Sequence, residues 1–150
     1  TMKDYLNEII SSFKEISKKN FIFNFDQDSN PKKISKSIEI VYGLRNFIGN
    51  ANKFSKNTIF INLKSDSEVT EITVEDDGNG YPRDIISKIG EPYLKSNYSK
   101  NKSKEGLGLG LFIGKTLLEK NFATVNCRNS KTRTGAEVVI RWNNSELFNI

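Results

Sequence analysis

Apolar residues recur along the chain with two alternating periods. From Asp4 to Lys19, Leu6, Ile9, Ile10, Phe13 and Ile16 follow helical spacing, which predicts an amphipathic first helix. Phe21 to Phe25 alternates aromatic with other residues and runs into Asp26-Gln27-Asp28-Ser29-Asn30-Pro31, the pattern of a strand and then a polar loop. The helical period returns from Ser37 to Phe54, with Val41, Leu44, Phe47, Ile48, Ala51 and Phe54 on one side. Ile59, Ile61 and Leu63 alternate with polar residues, as do Ile72 and Val74. Ser65-Asp66-Ser67 between them predicts an antiparallel hairpin. After Gly78-Asn79-Gly80-Tyr81-Pro82 the spacing predicts a short helical piece to Ile89. A lysine- and serine-rich stretch to Lys104 then has the composition of a mobile flap. A helix opens at Gly106, carrying Leu107, Leu111, Gly114 and Leu118 on one stripe with Ile113 and Leu117 beside it. Ala123, Val125 and Cys127, then Val138, Ile140 and Trp142, alternate in two strands joined through Lys131 to Gly135. This order predicts a single α+β domain over residues 1–150. It would be a two-layer sandwich in which a mixed, mostly antiparallel sheet of about five strands is covered by three helices.

The composition, 36% hydrophobic and 27% charged over 150 residues, is that of one globular domain with a real core. No apolar run approaches a membrane span, and Asn7, Glu8 and Lys14 interrupt the first apolar segment, unlike a signal peptide. The single cysteine, Cys127, excludes an internal disulfide and fits a reducing compartment. In an alternating strand it reads as a small hydrophobe. The Thr1-Met2 start reads as a cloning scar before a native fragment, so missing neighbours are expected. Net charge is +5, and Lys95, Lys100, Lys102 and Lys104 crowd before the glycine run, which suggests attraction to a polyanion there. No nucleic-acid motif accompanies them, and nucleic acid is not expected as a partner. The sequence contains no histidine, which removes every histidine-based triad, metal site and proton shuttle.

Three stretches carry candidate chemistry. The run Gly106-Leu107-Gly108-Leu109-Gly110-Leu111 sets glycines at alternate positions, so that backbone N–H groups stand open to an anion beside a helix dipole. A dinucleotide fingerprint fails at Leu111 and Ile113, and a P-loop fails because it needs a glycine where Leu109 stands. Packing glycines at a close helix contact are the alternative. On the helix from 37 to 54, Asn46, Asn50 and Lys53 fall at i, i+4 and i+7, opposite the apolar face. Asn is a poor helix former, so two of them stacked one turn apart argue for a use. Period two then sets Ile72, Val74 and Asp76 on one strand face, and Asp77 on the other. A carboxylate closing a core face costs on the order of several kcal/mol unless it is hydrogen-bonded. Asp76 therefore needs a dedicated donor, which an exocyclic amine of a base or the following turn amides would supply.

Asn46-x-x-x-Asn50-Ala51-x-Lys53-Phe54, Asp76-Asp77-Gly78-Asn79-Gly80 and Gly106 to Leu111, in this order and separated by a flap, resemble the N box and glycine boxes of the GHKL nucleotide-binding superfamily. GLGLGLFIGKTLLE, together with Gly90-Glu91-Pro92-Tyr93, is similar to the ATP-binding domain of sensor histidine kinases, of the RegB/PrrB redox-responding group. The resemblance implies a left-handed βαβ sandwich binding ATP and Mg²⁺ between the Asn-bearing helix and the flap. Asp76 would accept from the adenine amino group, Gly78, Gly80 and Tyr81 would shape the base pocket, and Asn50 would hold the metal. Asn46 and Lys53 would contact phosphates or the metal shell, and the amides of Gly106, Leu107, Gly108, Leu109, Gly110 and Leu111 would receive the phosphate tail. It further implies a histidine-bearing dimerisation domain and a response regulator as partners, and a cytoplasmic place in a membrane-anchored parent. Two positions depart from the pattern: Glu91-Pro92-Tyr93 replaces a Phe-x-x-Phe box, and Ala136 stands where many relatives have a hydroxyl. The alternatives are an ATPase of the gyrase or mismatch-repair kind and an anti-sigma serine kinase. These carry a general-base Glu at the position of Asn46, which cannot take a proton from water.

Overall fold

The computed structural model describes residues 1–26, 34, 37–82, 86 and 105–147, with the side chains of residues 105–109 outside that description. In chain order the elements are α1 (Met2–Lys14), β1 (Asn20–Phe25), α2 (Ile38–Phe54), β2 (Thr58–Ser65), β3 (Val69–Asp76), α3 (Glu105–Lys120), β4 (Thr124–Asn129), β5 (Ala136–Asn143) and the short α4 (Asn144–Leu147). The predicted α+β architecture holds, with α4 as an addition. Among the described residues five strands form one sheet in the order β1-β2-β3-β5-β4, parallel between β1 and β2 and antiparallel elsewhere.

Strand alternation builds the core. Phe21, Ile59, Ile61, Leu63, Ile72, Val74, Val138, Ile140 and Trp142 bury one sheet face against Leu6, Ile9 and Ile10 of α1, Leu44, Phe47 and Ile48 of α2, and Leu111 and Leu118 of α3. Trp142 is fully buried, and its indole N–H donates to the Asn121 carbonyl at 3.0 Å, which satisfies the polar edge of a large apolar side chain. Asp66 turns the β2–β3 hairpin by accepting the N–H groups of Glu68 and Val69, both at 2.8 Å.

Two expectations about helices are corrected. The first helix stops at Lys14, and Ile16, expected on its apolar stripe, is 82% exposed where the chain turns toward β1. On α2 the buried arc is wider than the expected stripe: Ile40 and Gly43 are buried, whereas Val41 and Phe54 are half-buried. The reason is a second neighbour. A Cβ on Gly43 would stand 2.8 Å from Leu118 and one on Gly114 2.7 Å from the Phe47 ring, so α2 and α3 meet through their glycines as well as through the sheet.

Candidate functional site

The C-terminal half of α2, the end of β3, the loop after it and the start of β5 enclose a cavity of about 150 Å³. Phe47, Ala51, Phe54, Val74, Tyr81 and Val138 make its apolar walls, and Asn50, Asp76 and Asn79 bring its polar groups. An apolar cleft with a few convergent polar groups is the usual form of a small-molecule site.

Asp76 is buried at the end of the core face of β3, as period two predicts. Its Oδ1 accepts the N–H of Gly78 at 2.8 Å and that of Ala136 at 3.3 Å, so turn capping accounts for one oxygen. Oδ2 has no donor among the described residues, which leaves it available to a ligand. Burial pushes the Asp76 carboxyl above its ordinary value, against those two hydrogen bonds. Asp77 behaves in the opposite way. Desolvation is the largest single influence and pushes it up, but the N–H groups of Asn57, Thr58 and Lys56 together outweigh it and hold the carboxyl below its ordinary value. Adjacent carboxylates thus divide between a charge spent on the protein's own backbone and one kept for the cavity.

The loop floor is held from β4. Asn129 accepts the Tyr81 N–H at 2.7 Å and donates to the Tyr81 carbonyl at 3.1 Å, acting as a one-residue extension of the sheet. Gly80 adopts φ +79°, and a Cβ there would lie 2.7 Å from Asn129 Oδ1, so both conformation and space demand glycine. Burial raises both the Tyr81 hydroxyl and the Cys127 thiol, the thiol to about 12, which makes Cys127 inert as a nucleophile. Sequence reasoning missed Asn129, because an Asn at a strand end has no periodic signature and its partner is remote in the chain.

Asn50 lies between α2 and α3, where a Cβ on Gly110 would come within 2.9 Å of its carboxamide. Its Nδ2 is buried without a hydrogen-bond partner among the described residues. Leaving such an amide unpaired costs about 1–3 kcal/mol, which makes Asn50 a candidate ligand contact. Turning the amide over exchanges Nδ2 and Oδ1, so the same site offers a donor to a phosphate or an oxygen to a metal. The described residues hold no cluster of three acidic, His or Cys side chains, so a cation here would complete its shell from a ligand and water. That donor set fits Mg²⁺, which keeps few protein ligands.

The structure does not bring every predicted residue into the cavity. Asn46 is half-buried and donates to the Tyr42 carbonyl of its own helix at 2.8 Å, and exposed Lys53 lies 5.3 Å over the Phe54 ring. Gly78 stands behind the wall, where a Cβ would be 2.2 Å from the Phe54 carbonyl oxygen. Gly106 to Leu111 belong to α3. In a helix alternate residues do not share an edge, so the run does not present one bare backbone face; only first-turn N–H groups stay unpaired. Gly110 packs closely against the Asn50 carboxamide, and Gly114, beyond the run, against the Phe47 ring. The expected flap from Lys95 to Lys104, the Gly90-Glu91-Pro92-Tyr93 segment and the helical piece to Ile89, except helical Ile86, lie outside the described residues.

Residues 35–146 match the family described as histidine kinase-, DNA gyrase B-, and HSP90-like ATPase. The chain is similar to the sensor histidine kinase RegB of Cereibacter sphaeroides, 37% identical over 69% of this chain and 26% of that protein. It therefore spans about a quarter of the length of such relatives. Among solved structures, the catalytic domain of the histidine kinase ThkA superposes with a TM-score of 0.77 at 20% identity, covering 95% of this chain and 93% of that one. Full-length ShkA in complex with AMPPNP superposes with a TM-score of 0.72 at 20% identity, over 95% of this chain and 30% of that one.

Proposed function

The chain belongs to the family of histidine kinase-, DNA gyrase B- and HSP90-like ATPases, and from that membership we propose that it is the ATP-binding catalytic domain of a sensor histidine kinase. The observation that carries the reading is the convergence of Asp76 and Asn50 on one apolar cavity, where Asp76 Oδ2 and Asn50 Nδ2 have no partner among the described residues. Asp76 Oδ2 accepts from the adenine amino group while Val74, Ala51 and Val138 sandwich the base. Asn50 holds Mg²⁺ or a phosphate oxygen at the other end. Bound Mg²⁺ supplies neutralisation of phosphate charge. Asn46 and Lys53, one turn to either side of Asn50, and the first-turn amides of α3 from Gly106 attend the phosphate tail.

Phosphoryl transfer depends mostly on positioning and charge stabilisation, which these residues offer. The acceptor lies elsewhere, because the chain has no histidine. A histidine-bearing dimerisation domain within a longer, membrane-anchored parent supplies it, and a response regulator receives the phosphoryl group. Among the described residues no helix is long and apolar enough to cross a membrane. The test is incubation of this fragment with γ-labelled ATP and Mg²⁺, alone and with the dimerisation domain. Labelling of that domain with little phosphate release by the fragment alone is expected. Brisk release by the fragment alone, abolished by Asn50→Ala, would favour an ATPase.

A further inference from the structure

The corner between α2 and β2 exposes the last carbonyls of a helix and the first amides of a strand, and side chains from two other elements hold both sets. Asp77 accepts the N–H of Lys56 at 2.7 Å, of Asn57 at 3.0 and 3.1 Å, and of Thr58 at 3.2 Å. From the segment before β1, Lys19 Nζ donates to the Ser55 carbonyl at 2.7 Å and also to the Asn52 carbonyl. A carboxylate thus meets the amides that lead into the strand, and an ammonium meets the carbonyls that the helix end leaves over.

Through Phe54, which lines the cavity, this corner adjoins both polar residues of the site. The Phe54 carbonyl oxygen sits against Gly78, whose N–H is held by Asp76. One turn back along α2 stands Asn50. Neither Asp77 nor Lys19 lines the cavity.

We propose that Asp77 and Lys19 are positioning residues that set the spacing between Asn50 and Asp76, and so decide whether one ligand engages both at once. The proposal rests on the Mg-ATP reading of the site. A ligand confined to the base pocket tolerates a loosened corner. One that spans both ends does not, since its second contact is gained only where the spacing matches.

The test compares wild type, Asp77→Ala, Asp77→Asn and Lys19→Met, each at a temperature where it is folded, by calorimetric titration with adenosine and with Mg-ATP. Amide exchange at Lys56, Asn57 and Thr58 is followed in the ligand-free proteins. Asp77→Ala and Lys19→Met are expected to weaken Mg-ATP by about tenfold or more and adenosine by less than about threefold. Asp77→Asn, which keeps an acceptor oxygen, recovers part of the loss, and exchange at the three amides accelerates in Asp77→Ala. Equal losses for the two ligands, no loss for either, or unchanged exchange at those amides overturns the proposal. Failure of wild type to bind either ligand refutes instead the ATP-site reading, and the proposal falls with it.

Discussion

Replacing Asp76 with Asn separates the ligand's need for this residue from the fold's. The variant keeps the shape and retains an oxygen that accepts the Gly78 N–H, now at 2.8 Å. It places an amide N–H where the carboxylate offers Oδ2, so a donor faces the donor of the base. A hydrogen bond to a charged group is worth about 1.5–3 kcal/mol, and about 1.4 kcal/mol is tenfold in affinity, so ATP binding should weaken roughly 10- to 100-fold. Stability should move the other way. Asp76 has a raised carboxyl pKa in the folded state, chiefly from burial, so its ionised form disfavours folding. The group's contribution to stability is fully present below its unfolded pKa and is lost as pH rises through the folded one. Ligand-free Asp76→Asn should therefore melt no lower than wild type at pH 7. Any advantage should shrink as the pH falls through the raised Asp76 value. Calorimetric titration with ATP and thermal unfolding across pH read the two quantities. Unchanged affinity would remove Asp76 from the base contact, and a large fall in melting temperature would show that the carboxylate serves the fold.

Asn50→Ala removes a carboxamide whose buried Nδ2 has no partner among the described residues. Mg-ATP affinity should fall by about tenfold or more while the melting temperature holds, as titration and thermal unfolding would show. Gly114→Ala drives a methyl to 2.7 Å from the Phe47 ring; overpacking of this kind costs about 1–3 kcal/mol, measurable by urea unfolding. Asp77, held below its ordinary value of 3.8 by backbone N–H groups, contributes stability that is present above that value and lost as the pH falls through its depressed one. The stability gap between wild type and Asp77→Asn should accordingly be full at pH 7 and close in acid, as followed by thermal unfolding. Trp142→Phe forfeits ring volume and leaves the buried Asn121 carbonyl without its 3.0 Å donor. A loss of about 2 kcal/mol or more is expected by the same unfolding measurement.

The element order, the sheet faces and the burial of Asp76 were legible in the amino-acid sequence because each depends on local periodicity. A strand alternates and a helix turns by 3.6 residues whatever packs against it. Asn46, Asn50 and Lys53 do share a stripe for that reason. Whether a stripe residue reaches the cavity is a separate matter. Asn50 does because Gly110 of α3 makes room for its carboxamide, whereas Asn46 back-bonds to Tyr42 and Lys53 lies over Phe54. For Asn50 only the tertiary structure decided this, since α3 is remote in sequence from α2. The glycines show the same division. Their positions are plain in the chain, but the atoms they admit, the Phe54 carbonyl at Gly78, Asn129 at Gly80 and Phe47 at Gly114, belong to elements brought together only by the fold. Asp76 and Asp77 are adjacent and chemically identical in the sequence. One is raised by burial and the other lowered by backbone donors from residues 56–58, because a carboxylate's pKa follows its surroundings and not its place in the chain.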